Sequence, residues 1–311
     1  MRGMIVAAGL GTRMRPLTDW LPKPAVPVRG LPLIAYGLEL LASAGVSEAV
    51  INVHHLADRL IEAVERCCPP KLGIRFSHER DLLHTGGAIR RVASFLRESE
   101  TCVILGGDMI VDLDLLALVR AHHDSGRAIT AALADDSRIA SFGSLGLDAA
   151  GNLRRVGRRL DLGGETQRGL YTWVNVLSAR AFHSLPEREV FNHLEDWWGP
   201  LAAQSPEDVG GALLGAGDCA WTPVGTPAEY LDANFALPAL RYFDADAKAR
   251  ALGARLDARV VASPGAVVEP GAQLERVVVW PGERVPASAR ASQGVFAGGR
   301  FVACASDQEE A

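Results

Sequence analysis

Near the start of the chain a pair of glycines is followed by a group of cations. The run Met4-Ile5-Val6-Ala7 is apolar and breaks at Ala8-Gly9-Leu10-Gly11, with Thr12-Arg13 directly after. Arg15 and Lys23 follow, and prolines at 16, 22, 24 and 27 stiffen the path between them. Glycines let a backbone turn tightly and bring its N–H groups against a ligand. A strand that ends in such a loop is a phosphate cradle in several nucleotide-binding folds. A stiff loop also loses less entropy when it must hold a cation in one place. Taken alone, the glycine pair reads equally well as a tight turn. Two familiar phosphate loops are excluded by spacing. The dinucleotide fingerprint needs a third glycine where Met14 stands. The Walker A loop needs Gly-Lys-Ser/Thr, and the order here is Gly11-Thr12-Arg13.

Two more groups follow. His84-Thr85-Gly86-Gly87-Ala88 falls at a strand-to-helix junction, where small residues let a backbone approach a flat ring or simply begin a helix. Gly106-Gly107-Asp108 comes straight after the apolar run Cys102 to Leu105. A carboxylate at the end of a buried strand, beside two glycines, is placed to hold Mg²⁺ against a triphosphate, or to cap a turn.

The stretch from Met4 to Ile34 resembles the signature of the sugar-1-phosphate nucleotidylyltransferases, the enzymes that make nucleotide sugars. The matching residues are Ala7 to Arg13, Pro16 to Thr18, Pro22-Lys23-Pro24, Pro27-Val28 and Pro32-Leu33-Ile34. Within that family the likeness is nearest to the branch of mannose-1-phosphate guanylyltransferases and N-acetylmuramate-1-phosphate uridylyltransferases. The resemblance implies transfer of a nucleotidyl group from a nucleoside triphosphate to a sugar 1-phosphate, of the GDP-mannose type, with Mg²⁺ as cofactor. It implies that Ala8, Gly9, Gly11 and Thr12 hold the triphosphate, that Arg13 meets the leaving pyrophosphate, and that Lys23 bridges the α-phosphate and the incoming sugar phosphate. It makes Asp108 the metal ligand and puts Thr85-Gly86-Gly87 against the nucleobase.

Besides His84, which stands where relatives often carry Glu or Gly and so leaves the base preference open, the chain departs from the family pattern at three places. The usual E-K-P after the middle hairpin is replaced by Arg154-Arg155-Val156-Gly157-Arg158-Arg159, a set of arginines that either grips a sugar phosphate or forms a solvated strand edge. Arg158 from this set and Asn175 on the next strand are the candidate substrate contacts. Trp173 falls where the family usually has glycine, which narrows or reshapes the sugar pocket. In Trp221-Thr222-Pro223-Val224-Gly225-Thr226-Pro227 the family's second metal-binding Asp is replaced by Pro223, which has no side-chain oxygen. These departures favour a second reading: a catalytically weakened or inactive relative that binds nucleotide or nucleotide sugar as a regulatory or assembly subunit.

The elements that position these residues alternate at short intervals. Apolar runs at 49–53, 74–76, 102–105 and 128–133 read as strands. Stretches 32–44, 56–66, 86–96 and 113–123 have helical spacing. A hairpin spans 141–159, residues 171–177 form a further strand, and 228–234 a closing helix. Continuous apolar strands between helices predict an α/β fold: a Rossmann-like mixed, mostly parallel sheet flanked by helices, with its ligand beyond the carboxyl ends of the strands. This unit is expected over 1–245.

From Val261 to Val302 six-residue blocks recur (VASPGA, VVEPGA and onward), with apolar first positions and Pro-Gly corners. They resemble the hexapeptide domain of many relatives and predict a short left-handed parallel β-helix over 250–303, a possible surface for homo-oligomers, then a flexible tail over 304–311. The chain has 311 residues, 48% hydrophobic, with a net charge of −5. That balance argues against a nucleic-acid partner. No apolar run approaches a membrane span and no leader is evident, so a cytoplasmic protein with no membrane partner is expected. The five cysteines lack C-x-x-C spacing, which argues against zinc.

Overall fold

The computed structural model describes residues 1–304. Of the tail expected over 304–311, only Cys304 is described; 305–311 lie outside the described residues. The central sheet has ten strands. Four of them, Gly73–His78, Glu48–Val53, Arg2–Val6 and Thr101–Gly106, lie side by side and all parallel. Their side chains alternate between two cores. Ile5, Ile51, Val103 and Leu105 pack on one face, and Met4, Val50, Cys102 and Ile104 on the other. Burial on both faces is why the inner three carry apolar runs, whereas the edge strand Gly73–His78 is half exposed and more polar.

The other half of the sheet is organised by one long strand, Gln167–Ser178. It runs antiparallel to Thr101–Gly106, to Ile129–Ala134 and to Ser144–Leu147. The expected hairpin is present: Ser144–Leu147 pairs with Leu153–Val156. The fold is therefore mixed α/β, with one half of the sheet parallel.

Helices Ile34–Ser43, Ala57–Cys67 and Leu115–Ser125 sit close to where their spacing placed them. The last starts later than expected because Asp114 is its cap, accepting a bond from the Ala117 N–H at 2.8 Å. The helix expected over 86–96 begins at His84 and breaks at Val92 into His84–Arg91 and Ala93–Leu96. Strand Met109–Leu113 was not expected. It follows Asp108 at once and pairs antiparallel with Cys219–Pro223, leaving Pro223 opposite Met109.

The C-terminal stretch winds in parallel. Val260 pairs with Val277, and Val277 with Gly294, a step of 17 residues. That is one short of three six-residue blocks, so the phase drifts. Val261, Val279, Val285 and Ala297 are buried, while Val267 and Gln273 face out. The winding closes with Arg300–Ala303, which turns back antiparallel on Arg290–Ala297.

The winding leans on the cation-bearing stretch. Trp20 meets the edge of Trp280 with ring centroids 6.4 Å apart, and the Arg300 guanidinium lies over its ring. The Tyr230 hydroxyl donates to the Pro27 carbonyl at 2.6 Å and accepts from Trp280 Nε1 at 2.9 Å. Arg29 grips both carboxylate oxygens of Asp246 and donates to the Asn234 carbonyl. Among the described residues no helix is long and apolar enough to cross a membrane.

Candidate functional site

A cavity of about 430 Å³ opens at the carboxyl ends of the parallel strands. It is lined by the loop residues Ala7, Ala8, Gly9, Gly11, Thr12 and Arg13, then by Lys23, Asn52, Glu79, His84, Thr85, Asp108 and Trp173, among others. Ligands of open α/β sheets bind at this edge.

The loop gets its shape from three anchors. Gly11 has φ +63°, and a Cβ there would come within 2.9 Å of Thr18 Cγ2 and 3.2 Å of Lys23 Cβ. Glycine is needed both for that backbone angle and for the close packing. Thr18 Oγ1 donates to the Gly11 carbonyl at 2.9 Å. The first residue past the strand is held by Asn52, whose Oδ1 accepts the Ala7 N–H at 2.7 Å.

Lys23 lies in a short 3₁₀ turn, Lys23–Ala25, flanked by Pro22 and Pro24. Its side chain is only 9% exposed, and Nζ donates to Asp108 Oδ2 at 3.0 Å. Asp108 is 47% exposed and faces the cavity. Its position follows from Gly107, whose N–H donates to the Val6 carbonyl at 2.9 Å and ties the ends of two adjacent strands together. Arg13 lies against the backbone at Gly225, where an added Cβ would be 3.3 Å from its guanidinium. Cations, carboxylate and glycine loop thus share one cleft, an arrangement suited to neutralising a polyphosphate and holding it in line.

The pattern has relatives. A family model described as nucleotidyl transferase matches residues 2–239. The chain belongs to the nucleotidyl transferase family. A mannose-1-phosphate guanylyltransferase of Mycobacterium tuberculosis is 28% identical over 310 residues, covering 91% of this chain and 81% of the relative. A UTP–glucose-1-phosphate uridylyltransferase of Synechocystis is 33% identical over 140 residues, covering 42% of this chain and 36% of that protein. The chain therefore matches only about a third of the length of that relative. Among solved structures, HddC from Yersinia pseudotuberculosis superposes with a TM-score of 0.60 at 21% identity, covering 75% of this chain and 97% of HddC. That likeness shows the fold.

In this nucleotidyl transferase the cavity gathers eight of the candidate residues, Ala8, Gly9, Gly11, Thr12, Arg13, Lys23, Thr85 and Asp108. Four other candidates stand elsewhere. Gly86 and Gly87 lie behind the cavity wall, their N–H groups donating to the Phe191 carbonyl. Side chains there would collide with the Phe191 ring and with the Glu189 carbonyl. These glycines admit a neighbouring segment, while Thr85, beside His84, faces the cavity. Arg158 is exposed on the turn after Leu153–Val156 and does not line the cavity. Its neighbours are tied elsewhere, Arg155 to Asp161 and Glu165, Arg159 to Glu195. Asn175 is buried, accepting from the Tyr171 hydroxyl at 3.0 Å and donating to the Ile104 carbonyl.

Asn52 and Glu79 were not singled out from the sequence. Both are buried, and Asn52 Nδ2 donates to Glu79 Oε1 at 2.7 Å while the Leu83 N–H donates to Glu79 Oε2 at 3.2 Å. One polar residue inside the run Ala49-Val50-Ile51-Asn52-Val53 was the available signal. A second buried network stands behind Thr85. Thr85 Oγ1 is 2.6 Å from His193 Nδ1, and His193 Nε2 is 3.0 Å from the Tyr171 hydroxyl. Burial pushes the His193 imidazole down to about 3, so it is neutral at ordinary pH.

The family generally implies a divalent cation. Asp108 is the carboxylate at the cavity that water can reach. The second family position is Pro223, opposite Met109 on the paired strand and without a donor oxygen. Asp218 lies beyond Cys219, at the far end of that ladder, and does not replace it. Mg²⁺ often binds through one carboxylate, substrate phosphates and waters. A single half-exposed aspartate suits a cation of that kind, carried in with a triphosphate.

Proposed function

We propose that this chain transfers a nucleotidyl group from a nucleoside triphosphate to a sugar 1-phosphate, releasing pyrophosphate, with GDP-mannose as the favoured type of product. The observation that carries the reading is the 3.0 Å contact between Lys23 and Asp108 inside the cavity built by the glycine loop. The Mycobacterium tuberculosis relative, matched along most of both chains, supports the choice of mannose 1-phosphate and a guanine nucleotide.

A phosphate oxygen of the sugar 1-phosphate attacks the α-phosphorus. A new P–O bond forms as the bond to the bridging oxygen breaks, and pyrophosphate leaves. Both reactants are anions, so placement and charge neutralisation dominate over proton transfer. Backbone N–H groups of Gly9 to Thr12 hold the triphosphate. Arg13, at the exposed rim, takes the leaving pyrophosphate. Lys23, pinned by its prolines and Asp108, sits between donor and acceptor phosphates. A divalent cation held by Asp108 would supply further neutralisation of phosphate charge.

The same reading takes the C-terminal winding as a left-handed parallel β-helix, supported by its repeated parallel steps, and as a surface for self-association. The test of activity is pyrophosphate release from a panel of triphosphates and sugar 1-phosphates, with and without Mg²⁺. Turnover that vanishes on chelation and peaks with GTP and mannose 1-phosphate is the expected result. Thermal stabilisation by nucleotide with no turnover under any pairing would overturn the transfer reading in favour of a binding-only protein.

A further inference from the structure

Trp173 stands against its own backbone preference at one end of the cavity. Its φ is +61°, a left-handed value that bulky side chains rarely adopt. The ladder between Gln167–Ser178 and Ile129–Ala134 is interrupted here, between Tyr171 and Asn175. The indole is held by Tyr171 and His193, with ring centroids 5.3 and 4.7 Å away. His193 is itself fixed at both nitrogens by Thr85 and Tyr171. Strained backbone that its surroundings hold in place gathers at ligand sites.

Strand order shows which part of a ligand meets this ring. Across the sheet the strands run 167–178, 101–106, 2–6, 48–53, 73–78. Val174 pairs with Leu105, so mid-strand Trp173 falls level with the carboxyl ends of the parallel strands, and along that edge come Trp173, then Gly106 to Asp108, then the glycine loop, then Asn52 and Glu79. Phosphate groups belong in the middle, over the loop and Lys23. The Asn52 and Glu79 end offers hydrogen-bonding groups suited to the edge of a base. The Trp173 end offers a flat apolar ring, suited to the C–H face of a pyranose. Space in the cleft as a whole is short. Ligand cavities run from about 300 to 1,000 Å³ for one drug-sized molecule, and this reaction needs two substrates in about 430 Å³.

We propose that Trp173 is the specificity-determining residue of the acceptor subsite: its indole floors that subsite and restricts the acceptor to a compact hexose 1-phosphate, excluding N-acylated amino-sugar 1-phosphates. The inference rests on the transfer reaction proposed above. Glycine suits φ +61°, so Trp173→Gly keeps the backbone and empties the subsite. Trp173→Asn, which also tolerates a left-handed backbone, repeats the test should the glycine variant unfold. Mannose 1-phosphate and N-acetylglucosamine 1-phosphate are compared by pyrophosphate release. The wild type should favour the plain hexose by tenfold or more in kcat/KM. Either variant should narrow that ratio at least tenfold, through the acceptor KM, with the triphosphate KM within twofold of wild type. A folded variant that keeps the wild-type ratio, or one that shifts the triphosphate KM instead, overturns the assignment. A wild type that uses neither sugar with any triphosphate overturns the transfer reading, and this inference with it.

Discussion

Replacing Lys23 with methionine separates chemistry from stability. Methionine keeps an unbranched stem of similar length in a position that is 9% exposed, and removes only the ammonium. Its partner Asp108 is 47% exposed, so water takes the place of Nζ when the pair is lost. A pair that is solvated on one side contributes at most about 1 kcal/mol, a shift of roughly 2–4 °C in Tm. The same ammonium points into a cleft where charge builds up on transferring phosphate. Removing one preorganised donor of that kind costs about 10²–10³ in kcat, or ~3–4 kcal/mol. The catalytic loss should therefore exceed the loss of stability several-fold. Continuous pyrophosphate release at saturating substrates reads the first, and thermal denaturation of the same sample reads the second. A folded Lys23→Met protein with kcat within about threefold of wild type would falsify the role given to Lys23. A fall in Tm of more than about 10 °C would show instead that the pair is structural.

Asn52→Ala leaves the Ala7 N–H and one Glu79 oxygen without partners in a buried site, and should cost about 2–4 kcal/mol in urea denaturation while raising the nucleotide KM. Acid should destabilise the protein through His193: its folded pKa lies below the unfolded value near 6.5, so the unfolded state binds the extra proton and stability falls with pH below about 6.5. Between pH 7.5 and 5 the loss from this group is about 2 kcal/mol, and a denaturation midpoint unchanged over that range would show that His193 is not held neutral. Gly298→Ala drives a methyl group into the Trp20 indole from a backbone at φ +59°, and should cost about 2–3 kcal/mol and lower turnover. Gly299→Ala, with φ +75° and open space around it, should cost about 1 kcal/mol and leave kinetics alone; equal effects from the two would remove the Trp20 contact from the account.

The parts of the site that were legible in the sequence are those held by local chemistry. The glycine loop, the proline-braced Lys23 and Asp108 at the end of an apolar strand each carry their signal within a few residues. The rest depends on partners distant in the chain. Gly86 and Gly87 look like a base-binding turn until Phe191, more than a hundred residues on, is seen packed against them. Asn52 and Glu79 become visible only when parallel pairing aligns the strands that carry them. The strand Met109–Leu113 was hidden by its closeness to the strand before it, where a loop is the usual expectation. Arg158 was chosen for its charge, and its neighbours' carboxylate partners could not be read from the sequence. The C-terminal repeats were legible as a texture, but the 17-residue step shows that the winding does not keep the six-residue phase that the blocks suggested.

Trp280 meets Trp20 directly and reaches Pro27 through the Tyr230 hydroxyl, which makes the C-terminal winding a clamp on the reactive stretch rather than an appendage. Cutting the chain after its nucleotide-binding portion would strip one jaw from that clamp and leave Lys23 on a loosened hinge. Exchanging the winding for that of another protein would work only if the replacement brought along an indole and a bare glycine in the same places. Lesions far from the cleft, along the inner rim of the winding, would then surface first as slow enzymes.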